Sequence, residues 1–328
     1  MIPLTEDGVG VYGDGRGCTP GTGHRDVVNG GAPRRDDLKV VWTRGKGCLE
    51  LAEALGGADV DRIQGDLAES CIAERADVLV TKRLPSDFDL INVVVPVDFD
   101  ADKVTSVVAT VAGGPHSALA AETAARMAAH LGVEAEMLSA ARSDDEIDSA
   151  HEILEQIGAQ LPYLSRRVVV VDGISRLVED LDDGALLVLG APGGSWINRS
   201  RTGPGARLRR TAQAGVVVVR SAPDRVFRFM GDPVYVAPLR QADDTLRMHR
   251  ENTLAVADGG RLIGLVRREG LLRAGGDPVA SVMEEALSVR VDETIHQARE
   301  LEPTFGPDPI PVTDHEEHLV GGLSLPRV

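Results

Sequence analysis

Residues 190–210 carry the densest set of groups able to hold an anion: Gly190, Gly193 and Gly203, together with Arg199, Arg201, Arg207, Arg209 and Arg210. Glycine has no Cβ, so backbone N–H groups can close on a phosphate there, and guanidinium groups add charge-assisted hydrogen bonds. Between residues 199 and 210 there are five arginines and no acid, in a chain of formal charge −16. Such a local reversal of sign reads as an anion site; the competing reading is a surface loop whose arginines pair with neighbouring acids. A second candidate is the turn Ala112-Gly113-Gly114-Pro115-His116-Ser117, which opens a helix and adds the helix-end dipole to its amides. His116 has no second His, Cys or carboxylate spaced to orient it, so it reads as a polar helix-start residue rather than a base. The cysteines Cys18, Cys48 and Cys71 form no C-x-x-C pair and offer neither a metal cluster nor a disulfide framework for the later chain.

The elements that position these groups follow from the apolar pattern. Nine glycines between Gly8 and Gly31, with little periodicity, make residues 1–37 a flexible leader by expectation. From Leu38 to about residue 103, LKVVW, ADVLVTKR and LINVVVPVDF are strand candidates around the helix-like GCLELAEALG, which amounts to half of a parallel sheet. From 104 to 222 strands and helices alternate strictly: TSVVATVA, a helix over Pro115–Leu131, VEAEMLSA, a helix after a Ser143/Glu146 capping box, RRVVVVD, a short helix over Ile174–Leu181, ALLVLGAP, a brief helix, and GVVVVR. Five such strands predict a doubly wound sheet with its ligand crevice beyond the strands' carboxyl ends. Past Pro223 the order strand, helix, strand, turn, strand occurs twice at a period of about 50 residues, which predicts two copies of one unit packed together.

Length and charge limit the function. The 328 residues suggest about two domains, and 43% hydrophobic content supports real cores. With 51 acids against 35 bases, a nucleic-acid binder is disfavoured, because such affinity comes mainly from neutralising phosphates. No apolar run approaches the roughly 20 residues of a membrane-spanning helix, and no secretory pattern opens the chain, so membrane insertion is not expected and a cytoplasmic location is.

Two families are resembled. Gly190-Ala-Pro-Gly193, then nine residues, then Gly203, directly after a fourth strand, is similar to the ATP loop of the universal stress protein family, and HSALAAETAARMAAHLG to that family's first helix. The resemblance covers about 104–222 and implies a nucleotide-binding α/β domain that dimerises. Pro204 stands where the family places Ser or Thr, and Ala112 where it places Asp. Residues 38–103 resemble the later part of a second, degenerate repeat, with ADVLVTKRLP as fourth strand and LINVVVPVD as fifth; lacking the glycine loop, it is expected to hold no phosphate of its own. AVADGGRLIGLV around Asp258 and Gly264, and PVTDHEEHLVGGL around Asp314 and Gly321, resemble the two halves of a CBS domain pair over 227–328, with Asp292 as the expected N-cap of a helix buried through Ile295, Ala298 and Leu301. Such pairs sense adenine nucleotides. Their ribose and phosphate positions fall on Arg267 and Gly270 in the first copy and on Ser324 and Arg327 in the second, so both ribose-binding aspartates are replaced.

Three functions follow from these readings. The first is a regulatory protein, not an enzyme, that senses ATP or AMP or a similar small anion through Ala112, Gly113, Gly114, Ser117, Gly190, Gly193, Arg199, Arg201, Gly203, Arg267 and Ser324, and signals across a homodimer or to a partner. The second is a ligand-free adaptor for a transporter or an enzyme. The third is an ATP-cleaving enzyme, because Gly113, Gly114 and Ser117 resemble a Ser-Gly-Gly-x-Asp-Ser pyrophosphatase loop in which Ala112 and His116 replace the Ser and Asp.

Overall fold

The computed structural model describes residues 38–57, 60–171, 181–191 and 212–325. The chain divides into two compact units, one spanning Asp36–Pro223 and the other containing Asp224–Val328.

In the first unit the valine- and leucine-rich runs form strands buried on both faces, as the interior of a parallel sheet requires. They are β1 Val40–Trp42, β3 Val78–Val80, β4 Asn92–Val97, β5 Ser106–Thr110, β8 Ala185–Gly190 and β9 Val216–Arg220, joined by β2 Val60–Arg62, β6 Glu134–Ala141 and β7 Ser165–Val170. All nine share one sheet in the order β2-β1-β3-β4-β9-β8-β5-β6-β7. Its single antiparallel junction is β4 on β9, with Val95 opposite Val218. The strands of 38–103 and those of 104–222 therefore form two parallel groups that run in opposite directions and meet at that seam.

In the later group the chain winds outward from β5 through β6 to β7 and returns to lay β8 on the other side of β5. The winding reverses between β5 and β8. The same reversal occurs between β1 and β3 in the earlier group. Right-handed crossovers put the helices that wind in one direction on one face and those that wind back on the other, and open a crevice at each reversal. Helix α2, Leu67–Ala73, follows β2. Helices α1 Cys48–Gly56 and α3 Ser117–Leu131 cover one face, where Leu51, Ala52, Ala120, Ala124 and Met127 share a core with Val80, Val107 and Leu186. Val95, Val108, Leu138, Leu187 and Val218 form the core on the other face.

Strand β2 has one apolar residue in three and no period of its own; it exists because Val60 pairs with Val40. The Ser143 capping box does not form: Ser143 makes no side-chain cap, a 3₁₀ turn over Asp144–Glu146 precedes α4 Ile147–Gly158, and the Glu146 carboxylate accepts from the Arg142 N–H at 2.9 Å. Residues 172–180 and 192–211, where two further helices were expected, lie outside the described residues, as does the leader.

The second unit holds two three-stranded sheets. The first copy runs β10 Tyr235–Val236, α5 Ala242–Met248, β11 Thr253–Asp258, β12 Arg261–Arg267 and α6 Arg268–Ala274. The second runs β13 Val289–Arg290, α7 Ile295–Arg299, α8 Glu302–Phe305, β14 Ile310–Thr313 and β15 Leu319–Leu323. In each, the first strand is parallel to the second and the second antiparallel to the third. Helix α7 is capped by Thr294, not Asp292: the Thr294 hydroxyl accepts from the Gln297 N–H, and the Gln297 amide oxygen accepts from the Thr294 N–H at 2.9 Å.

Candidate functional site

In the first unit the β5–α3 turn is built from short-range contacts. Gly113 has φ +69°, the left-handed region, and a Cβ there would sit 3.2 Å from Ile153 Cδ1. The Ser117 hydroxyl accepts from the Ala112 N–H at 3.2 Å, which ties the strand end to the first turn of α3. Gly190, at the end of β8, packs under His116, whose Cβ would lie 3.0 Å from an added one. Ala112, Gly113, Gly114, Ser117 and Gly190 are thus brought to one place. Gly193, Arg199, Arg201 and Gly203 lie outside the described residues, as does Arg327.

The geometry gives several of these residues structural work. Gly190 is small because α3 starts against it, and the Ser117 oxygen caps a strand end. His116 Nδ1 accepts from the Ser221 N–H at 3.1 Å and lies 2.7 Å from the Ser221 hydroxyl, which donates to the Pro115 carbonyl at 2.8 Å. A backbone N–H can only donate, so Nδ1 keeps its lone pair and the ring proton sits on Nε2. Burial, with the Arg220 guanidinium nearby, holds the imidazole pKa below its ordinary value. His116 is a neutral hydrogen-bond anchor for the chain leaving β9; this bond was invisible in the sequence because its partners are 105 residues apart. The Asp of a pyrophosphatase loop has no counterpart in this turn.

In the second unit the two copies are related by a local twofold, visible in bonds that recur with the copies exchanged. Gly231 and Gly322 bond each other through both N–H groups, at 2.8 and 3.1 Å; Glu284 and Leu265 repeat this at 2.8 and 3.1 Å. The Val226 N–H donates to the Glu293 carbonyl at 2.9 Å, and the Val279 N–H to that of Arg240 at 2.8 Å. Arg261 faces His318 where the two hairpins meet. Gly264 and Gly321 are dictated by this packing: a Cβ would fall 2.4 Å from Met283 Cγ at the first and 2.8 Å from Met230 Sδ at the second.

Each third strand ends at a cleft position that the sequence had marked. Arg267 closes β12, and its Nε donates to the Glu284 carboxylate at 3.0 Å, both side chains being about half exposed. Ser324 follows β15 and is exposed; the residue related to Glu284 is Gly231, which has no side chain. Sequence reasoning missed Glu284, and also Asp308, whose buried carboxylate accepts from the N–H groups of Asn252 at 2.9 Å and Thr253 at 2.8 Å and so ties the two copies together. An acid before a strand in a polar loop carries no pattern that distinguishes it from its neighbours. Asp314 behaves similarly: burial alone would raise its pKa, but bonds from the N–H groups of His318 and Glu316 and from the His318 ring outweigh that and hold it low.

No family model matches the chain, and no curated protein does. Solved structures that are similar to it include the cytosolic domain of the Mg2+ channel MgtE in complex with ATP, at 25% identity over 31% of this chain and 46% of that one, TM-score 0.28. A CBS domain pair/ACT domain protein from Thermotoga maritima is 26% identical over 31% of this chain and 89% of that one, TM-score 0.29. CBSX2, a CBS-pair protein from Arabidopsis thaliana, in complex with AMP is 25% identical over 31% and 90%, TM-score 0.28. The chain spans about half the length of the MgtE domain it matches. Among the described residues no helix is long and apolar enough to cross a membrane.

Proposed function

We propose that the protein is a regulatory nucleotide sensor whose ligand, ATP or AMP, docks in the repeated unit of Asp224–Val328, and whose α/β unit, of universal-stress type, passes the change to a second copy or to a transporter or enzyme. One observation carries the reading: the reciprocal bonds between the copies, which build a two-lobed module with a polar residue, Arg267 or Ser324, at the end of each third strand. This is the arrangement that the Val-x-Asp pattern and glycine spacing implied by resemblance to CBS pairs.

Magnitudes decide whether Arg267 can serve. A half-exposed ion pair is worth about 0–1 kcal/mol, whereas a charge-assisted bond to phosphate contributes roughly 1.5–3 kcal/mol. A phosphate can therefore draw Arg267 from Glu284. Changing the linker that holds Glu284 is then the first event of signalling, since Glu284 also pairs with Leu265 through its backbone.

Calorimetric titration of the full chain with ATP, ADP and AMP tests the proposal. Arg267→Gln is expected to weaken nucleotide binding by about 1–3 kcal/mol, and Glu284→Gln to strengthen it by up to about 1 kcal/mol. Absence of heat with all three nucleotides at low salt overturns the sensor reading. The Arg267–Glu284 bond favours the adaptor as second reading, because it satisfies the first copy without a ligand; an adaptor retains its partner in native lysate irrespective of added nucleotide.

A further inference from the structure

The crevice between β1 and β3 presents a charge pattern that neither unit's resemblance assigns. At the carboxyl ends of these strands, the loops Thr43–Gly47 and Thr81–Pro85 carry Arg44, Lys46, Lys82 and Arg83, all exposed, and no acid. The whole chain has only four lysines, and two of them are here. The loops touch: the Thr43 N–H donates to the Val80 carbonyl at 2.9 Å, the Thr43 hydroxyl to that of Thr81 at 2.9 Å, and an added Cβ on Gly45 would stand 3.1 Å from Lys82 Cβ. Among the described residues none of the four cations makes an ion pair, although the chain has a formal charge of −16 and the two other lysines, Lys39 and Lys103, bind Asp61 and Asp100. Lys46 does influence the Asp100 carboxylate, which is bonded to Lys103 at 2.7 Å.

Surface cations in an acidic protein ordinarily find carboxylates. Four that do not, gathered at a winding reversal where open α/β sheets bind ligands, focus a positive potential on one crevice. The bonded Thr43 and Thr81 hydroxyls and the start of α1, where Gly47 enters at φ +73° without a side-chain cap, belong to the same strand-end region. We propose that this crevice binds the phosphate or diphosphate group of a small molecule, with Lys46 and Lys82 as its principal charges and Arg44 and Arg83 at the rim. It revises the expectation that residues 38–103, lacking a glycine loop, hold no phosphate. The cations and hydroxyls take the place of the loop's amides, and the site is independent of the nucleotide site in the second unit.

Inorganic diphosphate, ADP and inorganic phosphate, titrated into the full chain, are the probes. Diphosphate is expected to bind, and the double variant Lys46→Gln/Lys82→Gln to lower its affinity about tenfold or more, in the wild-type and in the Arg267→Gln background alike, while Lys103→Gln leaves it unchanged. Equal affinity for ADP and diphosphate identifies the diphosphate alone as the recognised group; tighter ADP binding lost in the same double variant adds a nucleoside to it. A second readout does not depend on a variant folding: diphosphate should slow acetylation of Lys46 and Lys82, followed by mass spectrometry, without slowing that of Lys39 or Lys103. No binding of diphosphate, wild-type affinity in the double variant, or equal protection of all four lysines each overturns the site. So does tighter binding of a short single-stranded oligonucleotide that the double variant abolishes, which would make the crevice a nucleic-acid face.

Discussion

The sheet of the first unit has two winding reversals, and their crevices are filled in opposite ways. Between β5 and β8 the described residues satisfy one another: Ser117 caps Ala112, His116 anchors Ser221, and Gly190 exists to let α3 come close. Between β1 and β3 two threonine hydroxyls bond each other, and four cations make no ion pair among the described residues. Among the described residues of the glycine-marked crevice, Gly113 meets Ile153 and Gly190 meets His116 at packing distance. The unmarked one keeps its charge available. A glycine spacing reports close backbone approach, and whether the approaching atom belongs to a ligand or to the protein is a separate question.

The largest expected effect lies where the two groups of strands join. Gly215 precedes β9 at φ +99°, and a Cβ there would fall 2.6 Å from the Asp98 carbonyl oxygen beyond β4. Gly215→Val combines left-handed strain with a backbone clash, and a loss of about 3–5 kcal/mol is expected in urea unfolding. A loss below 1 kcal/mol would show a seam that yields, and two halves less firmly coupled than drawn. Gly190→Val, which drives a side chain into His116 at the start of α3, should cost about 1–3 kcal/mol by the same measurement. If it instead leaves stability intact while altering nucleotide binding, the second crevice is a ligand site after all.

Two hydroxyl deletions compare the crevices directly. Thr81→Val and Ser117→Ala each remove one partner of a hydrogen bond, and each should cost about 1 kcal/mol of stability. Only Thr81→Val should also weaken diphosphate binding; a matching loss for Ser117→Ala would erase the distinction. The smallest effect concerns pH. The His116 pKa is lowered in the fold, so at acid pH the unfolded chain takes up a proton that the folded one resists. The stability is present above the ordinary histidine value of about 6.5 and is lost as pH falls below it toward the lowered value. Urea midpoints between pH 8 and pH 5 should decline in the wild type and flatten in His116→Asn. An identical slope in the variant would remove His116 from the account.

The strands of the first unit were legible because buried parallel strands read as continuous valine and leucine runs, as in VVVPV and ALLVLG. Strand β2 was not, since a three-residue edge owes its existence to Val40 across the ladder. The repeat past Pro223 was legible from spacing alone. Its caps were half legible: Asp292 and Thr294 are both good caps, and the choice fell to the residue whose partner three positions later, Gln297, could return the bond. Arg267 ends β12 and Ser324 follows β15, whereas the Arg267–Glu284 bond and the approach of the Thr43 and Thr81 loops required coordinates because the partners are distant in sequence.

Composition and periodicity determined by themselves an acidic chain with an α/β unit and a duplicated α+β unit, because burial imposes a short repeat that any run of residues displays. Only the tertiary structure decided that the two sets of strands share one sheet through β4 and β9, that His116 holds Ser221, and that two separate cation-bearing loops lie side by side. Hydrogen-bond geometry and electrostatic neighbourhood depend on distances in space, and chain order does not encode these until the backbone has closed.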